Sequence, residues 1–174
     1  MSMEFLTEPW HHRFFGPDTD KYRLYHAEDS LSFLPYGCLV DEFQHIMYRQ
    51  PDLTPDERNA VWLELEHKYR PWIDFDGLPF YGRGAGWQRQ LHIYECPFYY
   101  IDYCLAQTVA LQFFSAHLAD PQDAWLRYLA LVRKGGTASY PDLVRAAGFA
   151  VPFEDGSLAP VAKTVGDWIA AHQV

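Results

Sequence analysis

The chain has 174 residues, enough for one domain that buries roughly two-thirds of its unfolded surface. Nearly half of it is hydrophobic (49%), with 12 Tyr, 12 Phe and 6 Trp, a composition that excludes an intrinsically disordered chain. The 23 acidic side chains against 14 basic ones give a formal charge of −9 with no basic block to offset it, which argues against nucleic acid as a partner.

No apolar run reaches the roughly 18 residues of a membrane span, so no membrane partner is expected. Cys38, Cys96 and Cys104 make neither a dense disulfide framework nor a C-x-x-C pair, and they read as reduced, buried thiols of a cytoplasmic chain. The opening MSMEFLTEPWHHRFF carries Glu4 and Glu8 and lacks the basic leader of a signal peptide. It starts on an apolar, aromatic pattern without a polar lead-in, as if entered mid-helix.

Met3, Phe5, Leu6 and Trp10 predict a short helical face that Pro9 bends or ends, and GPDTD at 16–20 is a strong break. From Tyr22 to Met47 the apolar residues recur at helical spacing. Pro35 and Gly37 predict two segments there, or a kinked one. TPDE at 54–57 joins a cap oxygen, a first-turn proline and a glutamate three residues on, which predicts a helix to about Tyr69. Residues 71–86 lack periodicity and read as an irregular connection. Further helices are predicted from about Pro97 to His117, from Pro121 to Arg133, from the SYPD cap at 139–142 to Gly148, and from about Leu158 to Ala171. Almost every predicted element is helical, so the expected fold is an all-α, layered multi-helix bundle spanning residues 1–174.

Chemistry concentrates in QLHIYECPFYYIDY, residues 90–103. His92 precedes the predicted helix; Tyr99 and Tyr103 are four residues apart and Tyr100 and Tyr103 three apart, so either pair shares a face with Tyr103. Phenol hydroxyls donate hydrogen bonds to an oxyanion without carrying charge, and a nearby imidazole donates to or orients the same group. By itself the pattern is more plainly aromatic core packing, with non-catalytic recognition a further reading.

Metal spacing is weaker. His11 and His12 are adjacent and diverge, Glu42 and His45 in DEFQH at 41–45 lack a third ligand, and the chain contains no HExxH. Asp41, Glu42 and His45 read as a cap, salt bridge or pocket support. GRGAG at 82–86 lacks the lysine and hydroxyl of a phosphate loop, RKGG at 133–136 is a basic helix end and its stop, and Asp74 and Asp76 fit a solvated turn.

Taken together, SMEFLTEPW, PYGCLVDEFQH, GRGAGWQRQLHIYECPFYYIDYCLAQ, KGG and PFEDG resemble the C-terminal catalytic region of oligoendopeptidase F-like zinc peptidases of the thimet oligopeptidase superfamily. The resemblance covers essentially the whole chain. It implies part of a larger helical metallopeptidase catalytic domain, whose HExxH segment and third-ligand glutamate are expected upstream of Met1, and a Zn²⁺ ion in the complete enzyme that this segment alone does not specifically bind. Glu4 then matches the family's second, supporting glutamate. His92 matches a substrate-contacting histidine, and Tyr103 is the first choice for stabilising the oxyanion, with Tyr99 or Tyr100 assisting. The expected partners are a short peptide substrate and the upstream catalytic segment, with self-association through a normally covered face. The isolated chain is expected to be inactive; the alternative is a noncatalytic peptide-binding or interaction module.

Overall fold

The computed structural model describes residues 1–174 and is helical with turns, without β-strands. In chain order its α-helices are α1 (Ser2–Leu6), α2 (His12–Phe15), α3 (Thr19–Arg49), α4 (Pro55–Tyr69), α5 (His92–Glu95), α6 (Ile101–Ala119), α7 (Pro121–Arg133), α8 (Tyr140–Ala146) and α9 (Ala159–Ala171). Tight 3₁₀ turns occupy Glu8–Trp10, Gly16–Asp18 and Ala85–Arg89. No helix is long and apolar enough to cross a membrane. The all-α fold expected from sequence is thus the fold observed.

The chain divides into two compact units, Met1–Leu31 with Leu105–Val174, and Ser32–Cys104. In the second unit, α3 contributes Leu39, Val40 and Phe43 and α4 contributes Trp62 and Leu65 to one buried core. The Trp62 ring meets Phe43 edge-on at 5.0 Å, the offset geometry that aromatic quadrupoles favour. α4 starts where the sequence places it. Glu57 N–H donates to Thr54 Oγ1 at 3.3 Å, and Glu57 Oε2 accepts from the Thr54 backbone N–H at 2.7 Å, completing the capping box.

GRGAG packs against α4. Gly84 has φ +76, and a Cβ there would lie 1.9 Å from the Asn59 carbonyl oxygen; one on Gly86 would lie 2.7 Å from Trp62 Nε1. Only glycine permits that approach.

In the first unit the core gathers Val109, Phe113, Val144 and Val151, with Tyr128, Tyr140 and Phe149 packed around it. α8 carries its predicted cap, Ser139 accepting from the Asp142 N–H at 3.4 Å, and α7 is capped as well, Asp120 accepting from the N–H groups of Gln122 and Asp123 at 2.9 and 3.1 Å.

Three expectations change. Of the two readings of the Tyr22–Met47 region, the two-segment one is overturned: the region is one helix, α3, with Pro35 inside it. Proline removes one helical bond but does not end the helix here, because Leu39, Val40 and Phe43 beyond it are fully buried and packing offsets that loss. Gly37 serves close approach and is no break: a Cβ would lie 2.0 Å from Cys104 Sγ.

The helix expected from Pro97 starts only at Ile101. The non-glycine Phe98 adopts φ +63, which interrupts the chain between α5 and α6. Of the cysteines, Cys104 is buried and Cys38 half-buried, but Cys96 is exposed, since it lies in the turn just after α5.

Candidate functional site

The unusual backbone at Phe98 is held from below. Gln44 is almost fully buried on α3; its Oε1 accepts from the Phe98 backbone N–H at 2.8 Å while its Nε2 donates to the Val40 carbonyl at 3.2 Å. The Phe98 ring lies against His45 and Tyr48, at 4.9 and 4.8 Å between centroids. A left-handed residue costs on the order of 1–3 kcal/mol and persists where its surroundings over-determine it. The turn it makes delivers Tyr99 and Tyr100 to the start of α6, facing α5.

There His92, Tyr99, Tyr100 and Tyr103 converge. Ring centroids are 5.0 Å apart for His92 and Tyr100, 5.6 Å for His92 and Tyr103, 5.3 Å for Tyr99 and Tyr103, and 5.4 Å for Tyr100 and Tyr103. His92 Nε2 stands 3.4 Å from Tyr103 Oη, and Gln90 Nε2 donates to His92 Nδ1 at 2.9 Å. Gln90 Oε1 in turn accepts from the Tyr36 hydroxyl at 2.7 Å.

The four residues differ in setting. Tyr99 is 47% exposed, whereas Tyr100 is half-buried against Phe33 and Tyr36. Burial, and then the charges of Tyr36, Cys104 and Tyr103, push the Tyr100 phenol up to about 12. Tyr103 is also raised, by desolvation first and then by its hydrogen bond with Tyr99. Both phenols therefore keep their protons at neutral pH and remain hydrogen-bond donors.

Beside this cluster lies a cavity of about 480 Å³, lined by Tyr36, Arg70, Phe75, Tyr81, Gln90 and Tyr100 among others. Its floor is built on a buried ion pair. Arg70 donates from Nε and Nη2 to Glu66, which is only 3% exposed and also accepts from Trp62 Nε1 at 3.0 Å. The Arg70 guanidinium lies 4.7 Å from the Tyr36 ring centroid, in cation–π range.

Glu42 and His45 do not act together. Glu42 accepts from Lys68 at 2.7 and 2.8 Å and from the Tyr69 hydroxyl, while His45 pairs with Asp41 at 3.5 Å. Asp74 accepts from the Asp76 backbone N–H at 2.8 Å, closing a turn.

Glu4 belongs to the first unit. Its carboxylate lies 3.2 Å from His26 Nε2 and 3.1 Å from the Met1 amine. Burial raises its pKa, but the hydrogen bonds from the amine and from His26 outweigh that and hold it below the usual value. His26 stacks on Tyr22, 5.6 Å between centroids, and Tyr22 on Phe15 at 3.7 Å.

No group of three or more His, Cys, Asp or Glu side chains converges within the chain, so these residues by themselves do not fit a zinc site. The residues that sequence reasoning missed are Gln90, Tyr36, Gln44 and Phe98. A signal for Gln44 was present: it follows Val40 by four residues, on the stripe that α3 buries. Gln90 and Tyr36 are 54 residues apart, and nothing local joins them.

No protein-family model matches the chain, and no curated protein matches it. Solved structures do. A structure assigned to oligoendopeptidase F aligns over 98% of this chain at 49% identity with a TM-score of 0.92, and PZ peptidase A, solved with an inhibitor, aligns over 98% at 48% identity and 0.92. A further oligoendopeptidase F assignment, from Bacillus anthracis str. Ames, aligns over 98% at 39% and 0.80. The architecture is therefore that of a segment of helical peptidase chains. More narrowly, it is an oligoendopeptidase F-like segment, spanning about 30% of the length of the first two chains and 27% of the third.

Proposed function

We propose that the chain supplies the substrate-facing half of a zinc-dependent oligopeptidase, a metalloendopeptidase acting on short peptides. The observation that carries this reading is the convergence of His92, Tyr99, Tyr100 and Tyr103 beside an open cavity, in a chain 49% identical to an oligoendopeptidase F structure.

The reaction opposes a neutral peptide carbonyl to a tetrahedral oxyanion. Groups that donate more strongly to the second than to the first accelerate it. Tyr103 donates to the developing oxyanion, His92 donates beside it, and exposed Tyr99 is placed to hydrogen-bond with Tyr103. Tyr100, half-buried, holds the ring geometry. The cavity takes a neighbouring part of the peptide. Glu4, tied to His26, takes the part of the family's supporting glutamate in this reading.

A Zn²⁺ ion and the HExxH residues that hold it come, in this reading, from a polypeptide segment outside these 174 residues, so the chain alone is inactive. We place the protein in the cytoplasm, on the unpaired thiols of Cys38, Cys96 and Cys104. In this reading the upstream segment docks, or the chain self-associates, through apolar surface that the chain leaves uncovered, Trp10, Phe14 and Trp72 being among its exposed side chains.

The test is complementation. The chain mixed with a segment carrying HExxH and its third-ligand glutamate, from a related oligopeptidase, hydrolyses quenched fluorescent peptides of about ten residues, and loses that activity when zinc is chelated. Hydrolysis by the chain alone, without metal, contradicts the reading. Peptide binding without hydrolysis under all such conditions selects the noncatalytic peptide-binding module instead.

A further inference from the structure

Two hydrogen bonds run in series from the cavity wall to the His92 ring beside the Tyr103 phenol, and their polarity can be derived. Tyr36 Oη lies 2.7 Å from Gln90 Oε1. That separation is typical of O–H···O and short for an N–H donor. Burial raises the Tyr36 phenol above its ordinary value, so its proton stays in place. The hydroxyl donates and the amide carbonyl accepts.

This orientation turns the amide nitrogen of Gln90 toward His92 Nδ1, 2.9 Å away. An amide nitrogen only donates, so Nδ1 must accept, and the neutral imidazole carries its proton on Nε2. Nε2 is the atom that stands 3.4 Å from Tyr103 Oη.

We propose that Gln90 is a positioning residue: anchored by Tyr36, it locks His92 in the Nε2–H tautomer, so that His92 and Tyr103 present two donors to one point beside the cavity. A carbonyl oxygen gaining negative charge at that point meets two N–H and O–H dipoles that need no reorganisation. The opposite tautomer places a nitrogen lone pair there and repels the same oxygen. With the amide rotated by half a turn, Gln90 would accept from Nδ1–H and impose that unproductive form. The Tyr36 hydroxyl, on α3, therefore sets the sense of a relay that runs through Gln90, just after the Ala85–Arg89 turn, to His92 on α5 and Tyr103 on α6.

The inference rests on the reading of His92 and Tyr103 as substrate-facing groups, but its test uses no activity. Long-range ¹⁵N–¹H spectra of the His92 ring are recorded on the labelled 174-residue chain at pH 8. Expected are a protonated Nε2, a bare Nδ1, and a trans-hydrogen-bond coupling between Gln90 Nε2 and His92 Nδ1. Gln90→Glu replaces the donor with an acceptor and moves the proton to Nδ1. Tyr36→Phe keeps the ring packing but unties the amide, and at least halves the coupling.

A parent chain with Nδ1 protonated overturns the proposal, and so does a folded Gln90→Glu variant that keeps the Nε2–H pattern. Where circular dichroism shows Gln90→Glu unfolded, the parent spectrum and Tyr36→Phe decide; absence of the coupling in the parent is then sufficient to overturn. A chain that shows the predicted tautomer yet stays inactive with zinc and the complementing segment refutes the peptidase reading and leaves Gln90's role standing.

Discussion

The two units treat their buried polar groups differently. In Ser32–Cys104, Gln44, Asn59 and Glu66 are buried and each is bonded: Gln44 to Phe98 and Val40, Asn59 to Trp87 Nε1 at 2.9 Å, and Glu66 to Trp62 and Arg70. In the other unit His11 and His117 are equally buried, yet the Nδ1 atom of each has no hydrogen-bond partner. A satisfied network specifies one geometry, whereas an orphaned polar atom costs stability and fixes nothing. The other unit also has bonded groups, such as Gln112 on Ala150, but the unpartnered buried atoms fall outside the unit that carries His92 and Tyr103.

The sharpest way to break that contrast is to orphan a group where none is orphaned. Arg70→Met leaves the Glu66 carboxylate buried without its cation and should cost about 3–5 kcal/mol in chemical denaturation. A loss under about 1 kcal/mol means that the pair does not organise the cavity floor. Trp87→Phe removes the donor to Asn59 and should cost about 1–3 kcal/mol by the same measurement, the penalty of one unsatisfied buried polar atom. A neutral result would equate the two units.

A pH titration sharpens the comparison from the other side. Burial lowers the pKa of His11 and of His117, even though the Glu4 carbonyl and Glu8 favour the charged form of His11 and Glu8 that of His117. The unfolded chain then binds protons that the folded unit refuses. Their contribution to stability is fully present above the unfolded histidine value of about 6.5 and is lost as pH falls through the lower folded values. The melting temperature should therefore drop from pH 7 to pH 5, with amide exchange in α6 residues after Leu105 accelerating more than in α4. Equal acceleration in both helices contradicts the assignment. The smallest effect belongs to Glu4→Gln: the carboxylate is half exposed, so the lost pairing with His26 should change stability by less than about 1 kcal/mol, read from the denaturation midpoint.

Local chemistry was legible in the sequence and long-range chemistry was not. TPDE and SYPD mark their helix starts to the residue, because capping is decided within four positions. Pro35 and Gly37 leave a second segment open in the sequence because the packing beyond them is not local, and Pro97 places the next helix start too early because the left-handed turn at Phe98 depends on Gln44, 54 residues earlier. His92 and the three tyrosines could be singled out from residues 90–103 alone. The tautomer proposed for His92 could not, since it depends on Tyr36 through Gln90.

The central claim is that Tyr103 acts on the tetrahedral state and not on the bound peptide. Its most direct measurement is the affinity of the complemented enzyme and of its Tyr103→Phe variant for a phosphinic peptide, a mimic of the tetrahedral state, and for the matching uncleaved peptide. The account predicts that the variant loses about 10²–10³-fold toward the phosphinic peptide, in step with kcat/KM, while the plain peptide binds unchanged. An equal loss for both ligands, or none for either, would contradict it.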